Sequence, residues 1–467
     1  MLSQPSDGRY PTLELTAQQR RRRTLEALTR QVEALSRTHP VLMIFEDIHW
    51  IDPTSLEALG RTVNRIRTLG VLLIITYRPE LEPPWIGQPH VTALTLNRLG
   101  QREIESMIDH VAGYKLLPAS VRQDIVERTD GIPLFVEEMT KALLEAGDQE
   151  AERAVAAFPS PSVAVPASLH ASLMARLDRL GPAKEVAQIG AVIGREFSRP
   201  LLDAVARKPE SELQSALHEL IEAGLLFRLG LPPHTTYLFK HALVQDTAYG
   251  TLLREPRRAL HARIAETLER RFAKIAESQP ELLARHYTEA GVIEKAARLW
   301  GKAGDRSLAR SAFKEAAEQL ARAISQTATL PCTPTSRREE IKLHAALRNV
   351  LVHLKGYVAP ESKEALERAR LLVEQAERRG EPPENPLLLF SLLNGLWTAN
   401  IVSFNGDAAC GFAAEFLTRA KNQNAAGPIV DGYRLVGTSL LMTGDIAGGE
   451  RTSIAELGSA IRSIVIR

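Results

Sequence analysis

The chain is poor in the features that would send it outside the cell or into a membrane. It has only two cysteines in 467 residues, Cys332 and Cys410. They form no metal-ligand spacing and read as reduced thiols in a cytosolic protein. No run of about 18 uncharged apolar residues occurs, so no segment is expected to span a membrane. The opening MLSQPSDGRYP lacks the basic-then-apolar order of a signal peptide. A cytoplasmic location is expected. Neither charge sign dominates: 58 Lys and Arg against 56 Asp and Glu leave a formal net charge of +2, which implies no bulk polyanion partner. Aromatics are only 5% of the residues while Ala, Leu, Glu and Arg abound, a balance that favours helices packed on helices over a β-sandwich.

The length is enough for two to four domains. Residues 16–37, TAQQRRRRTLEALTRQVEALSR, place Leu25, Leu28, Val32 and Leu35 at helical spacing, and Arg20 to Arg23 read as a solvated face. Three β-like runs follow, VLMIF (41–45), VLLIITY (71–77) and VTALTL (91–96). The first two are apolar throughout, as strands covered on both faces of a parallel sheet would be. Helical sequence runs from Gln101 to Ala146 with a turn at Gly131 and Pro133, and residues 148–166 read as an Ala, Pro and Ser-rich linker. Helices are expected near 168–180, 183–193, 199–206 and 211–223, followed by two β-like stretches around a Gly/Pro turn, which suggests a winged helix over 167–272. Beyond it, residues 273–467 are helical. Trp300, Gly304, Ala316 and Ala323 lie close to the small-residue pattern of repeats of about 34 residues, and NGDAA and TGDIA put Gly-Asp at the expected turns of a degenerate α-solenoid.

The stretch VLMIFEDIHWIDPTSLE (41–57) ends its apolar run in Glu46 and Asp47. In a doubly wound sheet, ligands sit at the carboxyl ends of the strands. Two carboxylates there suit a hydrated Mg²⁺ on nucleotide phosphates, one holding the ion's water shell and the other orienting an attacking water. An acid pair that merely caps the next helix is the plain alternative.

Here the sequence resembles the STAND signal-transduction P-loop ATPases, in particular those fused to class III adenylate cyclases and to bacterial transcription regulators. The apolar run, acid pair, His-Trp and Asp-Pro-Thr-Ser follow the order of that family's Walker B segment. The resemblance continues in IITYRPE (74–80), DGIPLFVEE (130–138) and LFKHALVQDTAY (238–249). It implies that Glu46 and Asp47 are the catalytic acids and hold Mg through water. It also implies that Arg78 senses the γ-phosphate, Pro133 lies against adenine and His241 faces the β-phosphate of ADP. ATP or ADP with Mg would then be the cofactors of the complete protein. The family pattern often has Asp where Glu46 stands, which leaves open which acid orients water. His49 is read as packing.

No GxxxxGK[ST] occurs; the sole Gly-Lys pair, Gly301-Lys302, lies in the repeat region. Such a loop supplies the backbone N–H cradle, the Lys and the Mg-binding hydroxyl. The chain therefore looks like the downstream part of a larger protein, or a paralogue that lost its front, with residues 1–147 the later portion of a P-loop NTPase core. The expected fold is mostly α with an α/β start: a truncated P-loop NTPase parallel sheet, a helical lid, a winged helix and an α-solenoid. The missing strand would lie between 71–77 and 91–96 and leave 91–96 poorly paired, and the final SAIRSIVIR reads as a second truncation. An ATPase-related regulatory module follows, not catalytic by itself, with an upstream P-loop or cyclase segment and a protein bound to the repeats as partners. Two other readings are a helical interaction scaffold and a DNA-binding winged helix. The second is disfavoured because residues 209–224 carry Glu210, Glu212, Glu219 and Glu222 and no Lys or Arg.

Overall fold

The computed structural model describes residues 15–115, 117–146, 167–231, 235–381 and 387–452. The expected linker at 148–166 and the closing SAIRSIVIR fall outside these residues. The described chain is mostly helical and divides into two units. One comprises 1–92, 279–285 and 293–467, and the other 93–278 and 286–292.

The first unit opens with α1 (Ala17–Thr38), started by a capping box in which Thr16 and Gln19 bond reciprocally. Strands β1 (Val41–Phe45) and β2 (Val71–Ile75) flank α2 (Pro53–Arg65) and pair in parallel, Val41 opposite Val71 through Phe45 opposite Ile75. Helix α2 begins with Asp52 as N-cap and Pro53 at its first position, where the missing N–H costs nothing. Its Leu59 and Val63 join Trp85 in a core that covers the Phe45, Leu73 and Ile75 face of the sheet.

Two expectations fail here. The sheet is not covered on both faces: Leu42, Ile44, Leu72 and Ile74 are 43–63% exposed. Side chains alternate along a strand, and the register sets Leu42 beside Leu72 and Ile44 beside Ile74, so these four form one apolar face. Residues 91–96, expected to be a poorly paired strand, are indeed unpaired but form no strand at all. They take no part in a ladder, and Leu94 and Leu96 are almost fully exposed. A strand needs a neighbour for its N–H and C=O groups, and among the described residues the parallel sheet has only β1 and β2.

The rest of this unit is a succession of helices: α14 (Ile293–Ala309), α15 (Phe313–Thr327), α16 (Pro334–Lys355), α17 (Pro360–Arg378), α18 (Leu388–Val402), α19 (Gly406–Asn422), α20 (Ala426–Thr443) and α21 (Ile446–Arg451). Each packs mainly on its neighbours in the chain. Gly304 explains how closely α14 and α15 approach, because a Cβ there would lie 2.6 Å from Leu320 Cγ. The two Gly-Asp turns fall where expected. Asn405 caps α19, while Gly444 at φ 95° ends α20 and Asp445 caps α21.

The second unit contains α3 (Gln101–Ala112), α4 (Ala119–Thr129) and α5 (Pro133–Ala146), joined by a core of Ile104, Ile108, Ile125, Val136 and Leu143. The turn at Gly131 takes φ 68°, and its carbonyl accepts from Leu99 N–H at 2.8 Å. A Cβ at Gly131 would fall 2.3 Å from Leu99 O, so only glycine fits. Helices α6 (Ala167–Arg179), α7 (Pro182–Ile193), α8 (Arg199–Ala206) and α9 (Glu210–Glu222) lie within a residue or so of the expected positions. They accompany an antiparallel sheet in the order β3-β5-β4, formed by β3 (Glu196–Ser198), β4 (Leu226–Leu229) and β5 (Thr236–Phe239). The third strand, β3, is an addition to the hairpin read from sequence. Helices α10 (Ala242–Gly250), α11 (Arg254–Arg271) and α12 (Ala273–Ser278) follow, and α13 (Pro280–Ala290) contributes residues to both units.

Candidate functional site

Parallel pairing sends both strand ends the same way, so Glu46, Asp47 and Arg78 all follow the carboxyl end of one sheet. Glu46 is exposed and Asp47 partly so. Asp47 adopts a left-handed backbone, φ 54° and ψ 40°, which breaks the strand and starts a short 3₁₀ turn, Ile48–Trp50. Thr76 holds that turn. Its N–H donates to Phe45 O at 2.9 Å, its hydroxyl accepts from Asp47 N–H at 3.0 Å, and its carbonyl accepts from Ile48 N–H at 3.0 Å.

The turn also reaches Arg78, whose guanidinium carbon lies 5.9 Å from the centroid of the Trp50 ring, within cation–π range. The structure thus brings three of the five expected residues to one place. His49 packs against Trp50 with ring centroids 4.9 Å apart, but both of its ring nitrogens are buried without a hydrogen-bond partner. That leaves polar capacity beside the acids which a structural histidine would ordinarily satisfy.

Asp52 closes the turn by accepting from Ser55 N–H at 2.9 Å. Burial acts to raise its pKa, and hydrogen bonds from Ser55 and Thr54, with Glu315 contributing, outweigh burial and hold it below the ordinary carboxylate value.

Pro133 and His241 belong to the second unit and are linked to one another there. Pro133 is the exposed first residue of α5. One turn further on, Glu137 pairs with Lys240 Nζ at 2.7 Å and with Lys141 Nζ at 2.6 Å. Burial works against ionisation of Glu137, but the bonds from Lys141 and Lys240 prevail and bring its pKa down to about 2. The pair ties α5 to the residue before His241, which is the N-cap of α10. A second tie lies beneath it. Glu138 is buried against the equally buried Arg176 of α6, and Arg176 also donates to Ala223 O at 2.7 Å. His241 is half-buried with Nε2 lacking a hydrogen-bond partner. Burial, then the charge of Lys240, push its pKa below the ordinary histidine value against the opposing pull of Glu137 and Glu138, which keeps the ring neutral near pH 7.

The donor chemistry fits the expected group in part. Two carboxylates at strand ends suit a hydrated Mg²⁺ held through its waters. Among the described residues no cluster of three or more His, Cys, Asp or Glu could hold an ion directly. Sequence reading missed Thr76 and the Glu137–Lys240 tie. The ITYR segment places Thr76 just past a strand, which is its only local signal.

No protein-family model matches the chain. The chain is 31% identical over 382 residues to an uncharacterized protein of Rhizobium meliloti (strain 1021), an alignment that takes in 81% of this chain and 36% of that protein. It therefore spans little more than a third of the length of this curated relative. Among solved structures, a Signal Transduction ATPase with Numerous Domains (STAND) protein with a tetratricopeptide repeat sensor from Pyrococcus horikoshii aligns over 94% of this chain and 71% of its own, at 13% identity and a TM-score of 0.39. At that score a likeness between two helical chains does not define a fold. Among the described residues, no helix is long and apolar enough to cross a membrane.

Proposed function

We propose that this chain is the regulatory portion of a signal-transduction nucleotide switch of the STAND type. The observation that carries the reading is the convergence of Glu46, Asp47 and Arg78 on the carboxyl end of a parallel sheet, where nucleotide phosphates bind in α/β folds. The motif order in the sequence supports it, as do the neutral, half-buried His241 and the uncovered sheet face, which suits a sheet continued by further strands and helices.

In this reading residues 1–147 are the later part of the NTPase core and lid, 167–272 a winged helix, and 273–467 a tetratricopeptide-like arm that binds a protein. Mg²⁺, when bound with ATP, supplies charge neutralisation between the phosphates. Glu46 and Asp47 would hold its water shell and orient the attacking water. Arg78 would contact the terminal phosphate, Pro133 would offer a flat apolar face to the base, and His241 would meet the β-phosphate of ADP. Nucleotide state then sets the position of the winged helix and arm relative to an output domain such as a nucleotide cyclase. The exposed face of α9, with Glu210, Glu212, Glu219 and Glu222 all exposed, opposes DNA binding because phosphates repel it.

With no GxxxxGK[ST] in the sequence, the purified chain is expected to turn over little or no ATP, since phosphoryl transfer takes nearly all its acceleration from positioning and charge stabilisation. Mg-dependent hydrolysis that disappears in Glu46→Gln with Asp47→Asn would sink that expectation. The switch itself is tested by fusing a P-loop strand, loop and helix ahead of the chain and titrating fluorescent ADP. Saturable binding weakened by Arg78→Ala and by His241→Ala is expected; binding indifferent to both substitutions overturns the assignment.

A further inference from the structure

Glu315 stands at the third position of α15, where a carboxylate ordinarily reaches back to cap its own helix. It does not do so, and α15 starts at Ala312 with no side-chain cap. Instead its Oε1 accepts from the backbone N–H of Thr54 at 2.9 Å. Thr54 is the second residue of α2, so its N–H is one of the donors that a helix start leaves without an intrahelical partner. The first turn of α2 therefore carries two carboxylates from distant parts of the chain, Asp52 on Ser55 and Glu315 on Thr54.

The segment from Glu46 to Asp52 is consequently held at both ends. Thr76 fixes its entry through Asp47 and Ile48, and Glu315 fixes its exit through the start of α2. Glu315 is also placed to respond to whatever the helices carry. It lines two cavities of about 520 and 560 Å³, and Pro53 lines both. In the larger, Trp50 and Asp52 face Trp300 and Arg322, with the Arg322 guanidinium 5.0 Å from the Trp300 ring centroid. A ligand or peptide seated there would touch the acid turn and the repeat helices together.

We infer that Glu315 is a positioning residue of the acid turn: by capping α2 from α15 it couples the state of the helical repeats to the placement of Glu46 and Asp47. What the turn does rests on the nucleotide reading above, but the coupling is measurable without nucleotide. Its failure and the failure of that reading can therefore be told apart.

The experiment is amide hydrogen exchange by mass spectrometry on the full chain without nucleotide, comparing wild type, Glu315→Ala and Glu315→Gln. Loss of a cap is worth about 1 kcal/mol, or roughly a fivefold change in local opening. Glu315→Ala should speed exchange of peptides within 46–57 by about that factor, with the α14 and α15 peptides around Trp300 and Leu320 unchanged. Glu315→Gln keeps the accepting oxygen and should stay near the wild-type rate. Wild-type exchange in 46–57 for the Ala variant overturns the proposal. So does faster exchange spread through α15, which would make Glu315 a stabiliser of its own helix. A Gln variant as fast as the Ala variant also overturns it.

Discussion

The two sheets of this protein bury their apolar residues to different extents. In the antiparallel sheet Phe197, Leu226, Tyr237 and Phe239 are all at most 5% exposed, and Phe197 lies 5.8 Å from both the Tyr237 and the Phe239 ring. Its other face carries Phe227 and Leu229, 47% and 45% exposed, opposite Leu238 and Thr236 of β5, as a one-sided antiparallel sheet can. The parallel sheet has a similar core on the α2 side but shows Leu42, Ile44, Leu72 and Ile74 to solvent on the other. Parallel strands are rarely left open, because the crossovers that join them supply covering helices. The difference teaches that local pairing can be complete while a domain's cover is not.

The comparison breaks most visibly at the aromatic core. Phe239 is fully buried, and Phe239→Ala should cost about 3–5 kcal/mol, the transfer term plus the cavity left behind. Ile44→Ala, on the open face, should cost under about 1 kcal/mol. Paired denaturant titrations read both, and equal losses would mean that the open face is covered in solution.

A smaller effect separates the units by pH. The folded pKa of Glu137, about 2, lies below the ordinary value of 4.5. Its contribution is therefore fully present above about pH 4.5 and is lost as the pH falls toward 2. With allowance for solvent screening it amounts to on the order of 1 to 2 kcal/mol. The stability advantage of wild type over Glu137→Gln should shrink across that window in urea midpoints. An advantage that stays constant down to pH 2.5 would show that the bonds to Lys141 and Lys240 do not form.

These contrasts mark how far sequence carries. Helices α7 to α9 were legible to within a residue or so because Gly181-Pro182, Gly194, Pro200 and Pro209 punctuate them. The acid turn was legible because an apolar run ends abruptly in charge. The three-residue β3 was not, being too short to show a period. Residues 91–96 have the composition of a strand, yet a strand is made by its neighbour. Thr76 and Glu315 were invisible for a different reason: they bond to residues 29 and 261 positions away, and no local pattern encodes such a contact. The open sheet face was misread because apolar strands do signal burial on both sides, and the signal does not say which segment supplies the cover.

The smallest expected effect is the most informative about that cover. Ile44 is 57% exposed, and its neighbour across the ladder is Ile74. Replacing it with lysine on a face in contact with water removes little packing, and the ammonium stays hydrated at the end of a flexible stem. Ile44→Lys should therefore change the unfolding free energy by no more than about 0.5 kcal/mol while improving solubility, because it interrupts an apolar patch. If a P-loop segment fused ahead of the chain covers the face, the same substitution must bury a charge without a partner, a change that costs several kcal/mol. The substitution thus becomes a probe whose sign depends on context, silent in the chain alone and disruptive once the sheet is continued. Urea midpoints for wild type and Ile44→Lys, with and without the fused segment, measure it. A penalty that is the same in both settings would mean that the four aliphatic residues never receive a cover and that the sheet is two-stranded by construction.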